Sequence, residues 1–255
     1  MVAATFRFYA GLNDFLERGR RGRDVSVPCA ENATTKHMIE ALGVPHTEVA
    51  LILVNGDACG LERLLEDGDR VAVYPRFLRL DVADVALLAS MPPGRLRFVA
   101  DAHLGGLARL LRMAGFDTIY RNDIDDAEVE ALALEQDRIV LTRDRELLKR
   151  RGIAYGAYVR ALKPQAQLGE VFERFGLADR ARPFSLCLNC NAPLRAVGKE
   201  AVAERLPPMV RATLDSFNTC DACGRVYWKG THWQRMRAML DAAARVAAEA
   251  SRSAQ

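Results

Sequence analysis

Four cysteines place the tightest constraint on how this chain can fold. They form two pairs, Cys187-x-x-Cys190 and Cys220-x-x-Cys223, separated by residues 191–219. Each Cys-x-x-Cys turn presents two thiolates together, and two such turns supply four sulfurs to one tetrahedral ion. The two turns must therefore meet in space. Structural zinc is the expected occupant, with Cys187, Cys190, Cys220 and Cys223 as ligands. All four positions are filled, so the site is closed and not catalytic. Disulfides are the other use of such pairs, and a cytosolic chain disfavours them. His232 would be a ligand only if a cysteine were not. Cys29 and Cys59 lie far apart in sequence and are expected as unpaired core or surface thiols.

The 255 residues are enough for two or three small domains, and a composition 50% hydrophobic and 27% charged is that of a globular chain. The start, Met1-Val2-Ala3-Ala4-Thr5-Phe6, lacks a basic segment followed by an apolar one, and no apolar run approaches the ~20 residues of a membrane helix. A soluble, cytoplasmic protein with no membrane partner is expected. Net charge is only +3, but residues 184–255 carry 10 basic against 6 acidic groups. That C-terminal excess suits a polyanionic partner.

Residues 1–80 read as a small α+β unit. Ala4–Tyr9 alternates like a strand, and Val25-Ser26-Val27 is its candidate hairpin partner. Thr34 or Thr35 can cap a helix through Ala41, ended by Gly43 and Pro45. Val49–Val54 is an apolar strand stopped by Asn55-Gly56, and Asp67-Gly68-Asp69 turns the chain into Arg70–Tyr74. Strand, strand, helix, strand, strand is the order of a β-grasp domain. Val54-Asn55-Gly56 and Leu65-Glu66-Asp67-Gly68-Asp69-Arg70-Val71 resemble the ubiquitin-like sulfur carriers. Those work through a free C-terminal Gly-Gly, whereas this chain continues past Tyr74-Pro75. A structural role and docking of a protein partner are the two readings for this domain.

Met91-Pro92-Pro93-Gly94 marks a linker over 81–96. Strand-like and helix-like runs then alternate to residue 183: Phe98–Ala100, a helix carrying Leu104, Leu107, Ala108, Leu110 and Leu111 and capped by Gly115, Asp117–Tyr120, Ala127–Gln136, Ile139–Thr142, Arg145–Arg150 and Ala154–Val159. Alternation of this kind predicts a parallel sheet covered by helices. A small zinc ribbon is expected over 184–236, followed by a helix and tail over 237–255, the helical pattern starting at Trp233.

Asp101 and Asp144 each close an apolar strand-like run. In open parallel sheets, ligands bind beyond the carboxyl ends of the strands. Carboxylates there suit Mg²⁺ or Mn²⁺, which can generate hydroxide and stabilise a phosphodiester's leaving oxygen. Residues 121–130 add five acids and one base; Asp123 and Asp126 are favoured over Glu128 and Glu130 as further catalytic acids. Each acid has a plainer use as a turn residue or helix cap. Around Asp144, Arg143, Arg145, Lys149, Arg150 and Arg151 can either hold phosphates or form a solvated helix face. His103 is a lone candidate for substrate contact. Beyond the second cysteine pair, Tyr227-Trp228-Lys229 and Trp233 interleave aromatics with bases, which suits unpaired RNA bases; covering a thin ribbon core is the other use.

The stretch Phe98-Val99-Ala100-Asp101, Leu104-Gly105, Leu107-Ala108-Arg109, Leu111-Arg112, Gly115-Phe116-Asp117-Thr118, Leu141-Thr142-Arg143-Asp144 and Leu147-Leu148 resembles the mut-seven C-terminal RNase family, which is PIN-like. The resemblance continues through the cysteines, and a β-grasp unit in front is a known companion of the family. It implies an α/β PIN-like domain over 97–183 and a Mg- or Mn-dependent ribonuclease acting on RNA. Asp101 and Asp144 match the first and later acids, and Arg143, Lys149, Arg109, Trp228 and Lys229 are the candidate substrate-binding residues. Two positions depart from the pattern: no acid follows Val159 until Glu170, and Gly106 stands where the family often has Lys. A non-catalytic RNA-binding adaptor with a degenerate PIN-like domain is the alternative function.

Overall fold

The computed structural model describes residues 2–75 and 96–252. The linker expected over 81–96 lies outside the described residues, Leu96 excepted. In chain order the elements are β1 (Val2–Phe8), β2 (Val25–Cys29), α1 (Thr35–Ala41), β3 (Val49–Val54), β4 (Asp57–Cys59), β5 (Arg70–Pro75), β6 (Phe98–Ala100), α2 (Gly105–Met113), β7 (Thr118–Ile119), α3 (Asp126–Gln136), β8 (Ile139–Thr142), α4 (Arg145–Leu148), β9 (Gly156–Tyr158), α5 (Pro164–Phe175), β10 (Leu194–Val197), α6 (Pro208–Thr213), β11 (Phe217–Cys220), β12 (Val226–Trp228) and α7 (Thr231–Arg252). They fall into two compact units. One holds the residues up to 75 together with Asp125–Tyr158, the other Leu96–Ile124 together with residues 159–252.

In the first unit, five strands form a sheet in the order β2-β1-β5-β3-β4. β1 and β5 run parallel, and the flanking pairs are antiparallel. Alternation in β1 turns Ala4, Phe6 and Phe8 inward, where Met38 and Ile39 of α1 join them in one core. Thr34 caps α1 by accepting from the His37 amide. This is the β-grasp arrangement the sequence predicts, with one added strand. Asn55 (φ 55°) and Gly56 (φ 99°) form a two-residue hairpin loop, pairing Val54 with Asp57, so the chain returns as β4 instead of stopping.

The same unit contains α3, β8, α4 and β9. β8 and β9 are parallel, with Val140 opposite Gly156. A capping box between Asp125 and Glu128 starts α3, and Asp137 (φ 50°) ends it. The β-grasp residues hold this segment through buried polar contacts. His46 Nε2 donates to the Ile153 carbonyl at 2.9 Å, and Glu48 Oε1 accepts from the Tyr158 amide at 2.7 Å. Arg145 donates to the Phe15 carbonyl at 3.1 Å, its guanidinium 5.2 Å from the Phe15 ring centre.

In the second unit β6 and β7 are parallel, with Phe98 opposite Thr118. Leu107, Ala108 and Leu111 form the buried face of α2. Gly115 follows at φ +90°, where a Cβ would stand 2.1 Å from the Arg182 carbonyl oxygen, so only glycine fits. Helix α5 is absent from the sequence expectation. Leu168, Val171, Phe172 and Phe175 make its buried face, and the Phe175 and Phe172 rings meet Phe98 and Phe116 edge-on. The strands β10-β11-β12 form an antiparallel ribbon over Val202, Leu206 and Phe217. No helix among the described residues is long and apolar enough to cross a membrane.

Candidate metal centre and acidic strand ends

The two cysteine turns are built alike. Asn191 (φ 67°) and Gly224 (φ 70°) each follow the second cysteine of a pair, in the left-handed region. The amide of each donates back to the carbonyl of the first cysteine, Asn191 to Cys187 at 3.0 Å and Gly224 to Cys220 at 2.8 Å. Both sulfurs of a turn thereby face one way. All four Sγ atoms lie within 4.8 Å of one another. Cys187 stands 3.6 Å from Cys223, and Cys190 stands 3.4 Å from Cys220. A tetrahedral ion with metal–sulfur bonds of about 2.3 Å separates its sulfurs by about 3.8 Å, so the set fits a thiolate-preferring ion such as zinc. Among the described residues, these cysteines are the group of His, Cys, Asp or Glu side chains gathered as metal ligands would be.

The surroundings favour thiolate at Cys187. Burial raises its pKa, but the Tyr227 hydroxyl at 3.1 Å and the Cys190 and Asn189 amides outweigh that, holding the thiol at about 6. Cys190, with the Ala192 amide lowering it but burial and three neighbouring sulfurs opposing, is pushed up to about 12. Metal binding requires thiolates, so a divalent ion held there would displace the remaining thiol protons.

The first turn is fastened to the rest of its unit. Arg112 is buried, donating from Nε to the Thr118 carbonyl and from Nη1 to those of Leu188 and Asn189. Asn191 accepts from the Thr118 amide at 3.0 Å and donates to Asp117 at 2.6 Å. Cys29 and Cys59 pack in and against the β-grasp core.

Asp101 directly follows β6 and is buried, its Oδ1 accepting from the His103 amide at 2.8 Å. Asp123 is exposed and pairs with Arg121 at 3.2 Å. These two belong to the second unit. In the first, Asp144 follows β8, is exposed and caps α4 through the Glu146 amide at 2.8 Å. Asp126 pairs with Arg150 at 3.3 Å, and Glu130 shares the same guanidinium at 3.2 Å while accepting from the Gly152 amide. Glu170, the late acid, sits on α5 and accepts from the Arg160 and Ala161 amides at 2.9 Å; it organises the turn after β9.

Among the candidate substrate-binding residues, Arg109 is exposed, with no side-chain partner among the described residues, and Lys149 pairs with Glu146 at 2.7 Å. Arg143 is half-buried behind β8. Trp228 packs against the ribbon core, and Lys229 stands 5.6 Å from the Trp233 ring centre. Arg145 and Arg150 are tied within the first unit, leaving the basic run around Asp144 less free than its composition suggests. The family model described as Mut7-C RNAse domain matches residues 96–240.

The chain belongs to the Mut7-C RNAse domain family. A second family model, Mut7-C ubiquitin, matches residues 1–81. A search of the curated proteins finds no match. The small archaeal modifier protein 1 of H. volcanii is 22% identical, with 30% of this chain and 100% of that chain covered and a TM-score of 0.25. A second structure, SAMP1 from Haloferax volcanii, is 22% identical over 29% of this chain and 96% of that one, with a TM-score of 0.24. Within the Mut7-C frame, Gly106 has a local cause: a Cβ there would stand 2.6 Å from Pro164 Cγ, the first residue of α5. Asn191 is a residue that sequence reasoning passed over, and the bonds of Arg112 to the first cysteine turn and of Tyr227 to the Cys187 sulfur appear only in the folded chain.

Proposed function

We propose that the protein is a metal-dependent ribonuclease that cleaves RNA phosphodiester bonds, with a structural zinc ion on Cys187, Cys190, Cys220 and Cys223. The observation that carries the reading is the Mut7-C RNAse match over residues that include both Asp101 and Asp144, each standing just after a parallel strand. Carboxylate oxygens suit Mg²⁺ or Mn²⁺, and Asp101 and Asp144 would hold it, with Asp123 and Asp126 as the further acids. When bound, such an ion supplies a water of lowered pKa and charge stabilisation at the phosphate. Asp101 is pre-oriented by its bond to the His103 amide, and Asp144 by its bond to the Glu146 amide. Asp126 would exchange its Arg150 partner for the ion. Arg143, Lys149 and Arg109 would bind phosphates, and the ribbon would hold the RNA strand. His46 and Glu48 of the β-grasp domain hold the segment around β9 of the same chain, and a protein partner would dock on the domain's remaining surface.

The test uses the full chain, Mn²⁺ and a labelled single-stranded RNA. Asp101→Asn and Asp144→Asn should each lower the cleavage rate roughly a hundredfold or more while leaving the unfolding midpoint nearly unchanged. A folded double variant cleaving at the wild-type rate would overturn the reading. RNA binding that weakens with salt, without cleavage in Mg²⁺ or Mn²⁺, would favour the adaptor, in line with the committed carboxylate of Glu170.

A further inference from the structure

Between α2 and the two cysteine turns lies a cavity of about 340 Å³, lined by Arg109, Arg112, Tyr120, Asn189, Arg225 and Tyr227. Among the described residues, no carboxylate lines it. Arg112 forms a buried floor, its Nε and Nη1 bound to backbone carbonyls and its Nη2 without a hydrogen bond to the described residues. It also faces the Cys187 and Cys190 sulfurs. The side chains of Arg109 and Arg225 are exposed and have no acid or hydrogen-bond partner among the described residues. Both phenol hydroxyls are engaged, Tyr120 with the Ala102 carbonyl and Tyr227 with the Cys187 sulfur, so the tyrosines offer ring surface. Gly105 makes room for the Tyr120 ring, because a Cβ there would stand 2.6 Å from its Cζ.

We propose that this cavity binds an RNA end carrying a phosphate monoester. It deepens the ribonuclease reading and rests on RNA being the ligand. A monoester is close to doubly negative at neutral pH, as phosphorylated side chains are, and the two unpaired guanidinia match it. A diester carries a single charge. The terminal ribose and base lie against the Tyr120 and Tyr227 rings, as bases stack on aromatic side chains elsewhere, with the Asn189 carboxamide at the rim. The size lies within the range of small-molecule sites.

The test is fluorescence anisotropy on the full, zinc-loaded chain without added Mg²⁺ or Mn²⁺. Three labelled oligoribonucleotides of one sequence are compared: 5′-phosphate, 3′-phosphate, and hydroxyl at both ends. One phosphorylated end should bind about tenfold tighter than the hydroxyl form, and the two phosphate arms tell which end is held. Arg225→Gln, at a position whose side chain is exposed and unpaired among the described residues, should remove most of that preference while changing hydroxyl-form affinity less than twofold. Equal binding of all three probes, or equal weakening of all three by the substitution, would overturn the proposal. A phosphate preference in a chain that never cleaves RNA supports the cavity and sinks the nuclease; cleavage without the preference does the reverse.

Discussion

Arg112 Nη1 lies 2.6 Å from the carbonyl oxygen of Asn189, tying helix α2 to the turn between Cys187 and Cys190. One guanidinium thereby satisfies three carbonyls from β7 and the cysteine turn, those of Thr118 and Leu188 in buried bonds. Replacing it with Met leaves those oxygens without donors. Arg112→Met should cost about 3 kcal/mol in denaturant unfolding, and zinc affinity should fall at least about tenfold in a chelator competition. Unchanged stability would show that the turn holds itself.

The metal centre makes a stoichiometric prediction. The purified chain should carry one zinc ion per molecule by elemental analysis, and Cys220→Ser should abolish it. Losing a closed structural zinc removes the link between the two turns, so protease sites within residues 184–230 should open. A Cys29→Ser variant should keep its zinc.

Glu130 gives a pH dependence with a defined sign. The Gly152 amide and the Arg150 guanidinium hold its carboxyl below the usual value. A lowered folded pKa means stability that is present above the unfolded value, near 4.5, and lost as pH falls through the folded one. Glu130→Gln should therefore destabilise by about 1 kcal/mol at neutral pH, with the difference from wild type vanishing in acid. Equal destabilisation at both extremes would count against the ionic contribution.

Gly106→Lys, the family's frequent residue at that position, should not be neutral. Its Cβ would meet Pro164, and overpacking between α2 and α5 should cost about 1–3 kcal/mol. Thermal unfolding at matched protein concentration reads the effect. A stability at or above wild type would mean that α5 yields readily.

Much of the fold was legible in the residues. The β-grasp order, the Thr34 cap, the left-handed Gly115, the parallel pairs and the paired cysteine turns all depend on local pattern: alternation, capping chemistry and the φ values glycine tolerates. Helix α5 was readable too, from Leu168, Val171, Phe172 and Phe175 at helical spacing behind Pro164 and before Gly176, but the run of polar residues around them masked it. β4 was missed because Asn55-Gly56 signals a turn without saying whether the chain pairs again.

The sequence by itself determined which residues could be ligands: four thiols at turn spacing and acids placed after apolar runs. Tertiary structure alone decided how those side chains are used. Glu170 became a backbone acceptor, Arg145 and Arg150 became struts, and Arg112 became the buried link between α2 and the cysteine turn. The physical reason is range. Caps, turns and helical faces are fixed by residues within a few positions of each other. Whether a charged group stays free depends on partners as distant in sequence as Asn189 is from Arg112, which only the packed chain brings together.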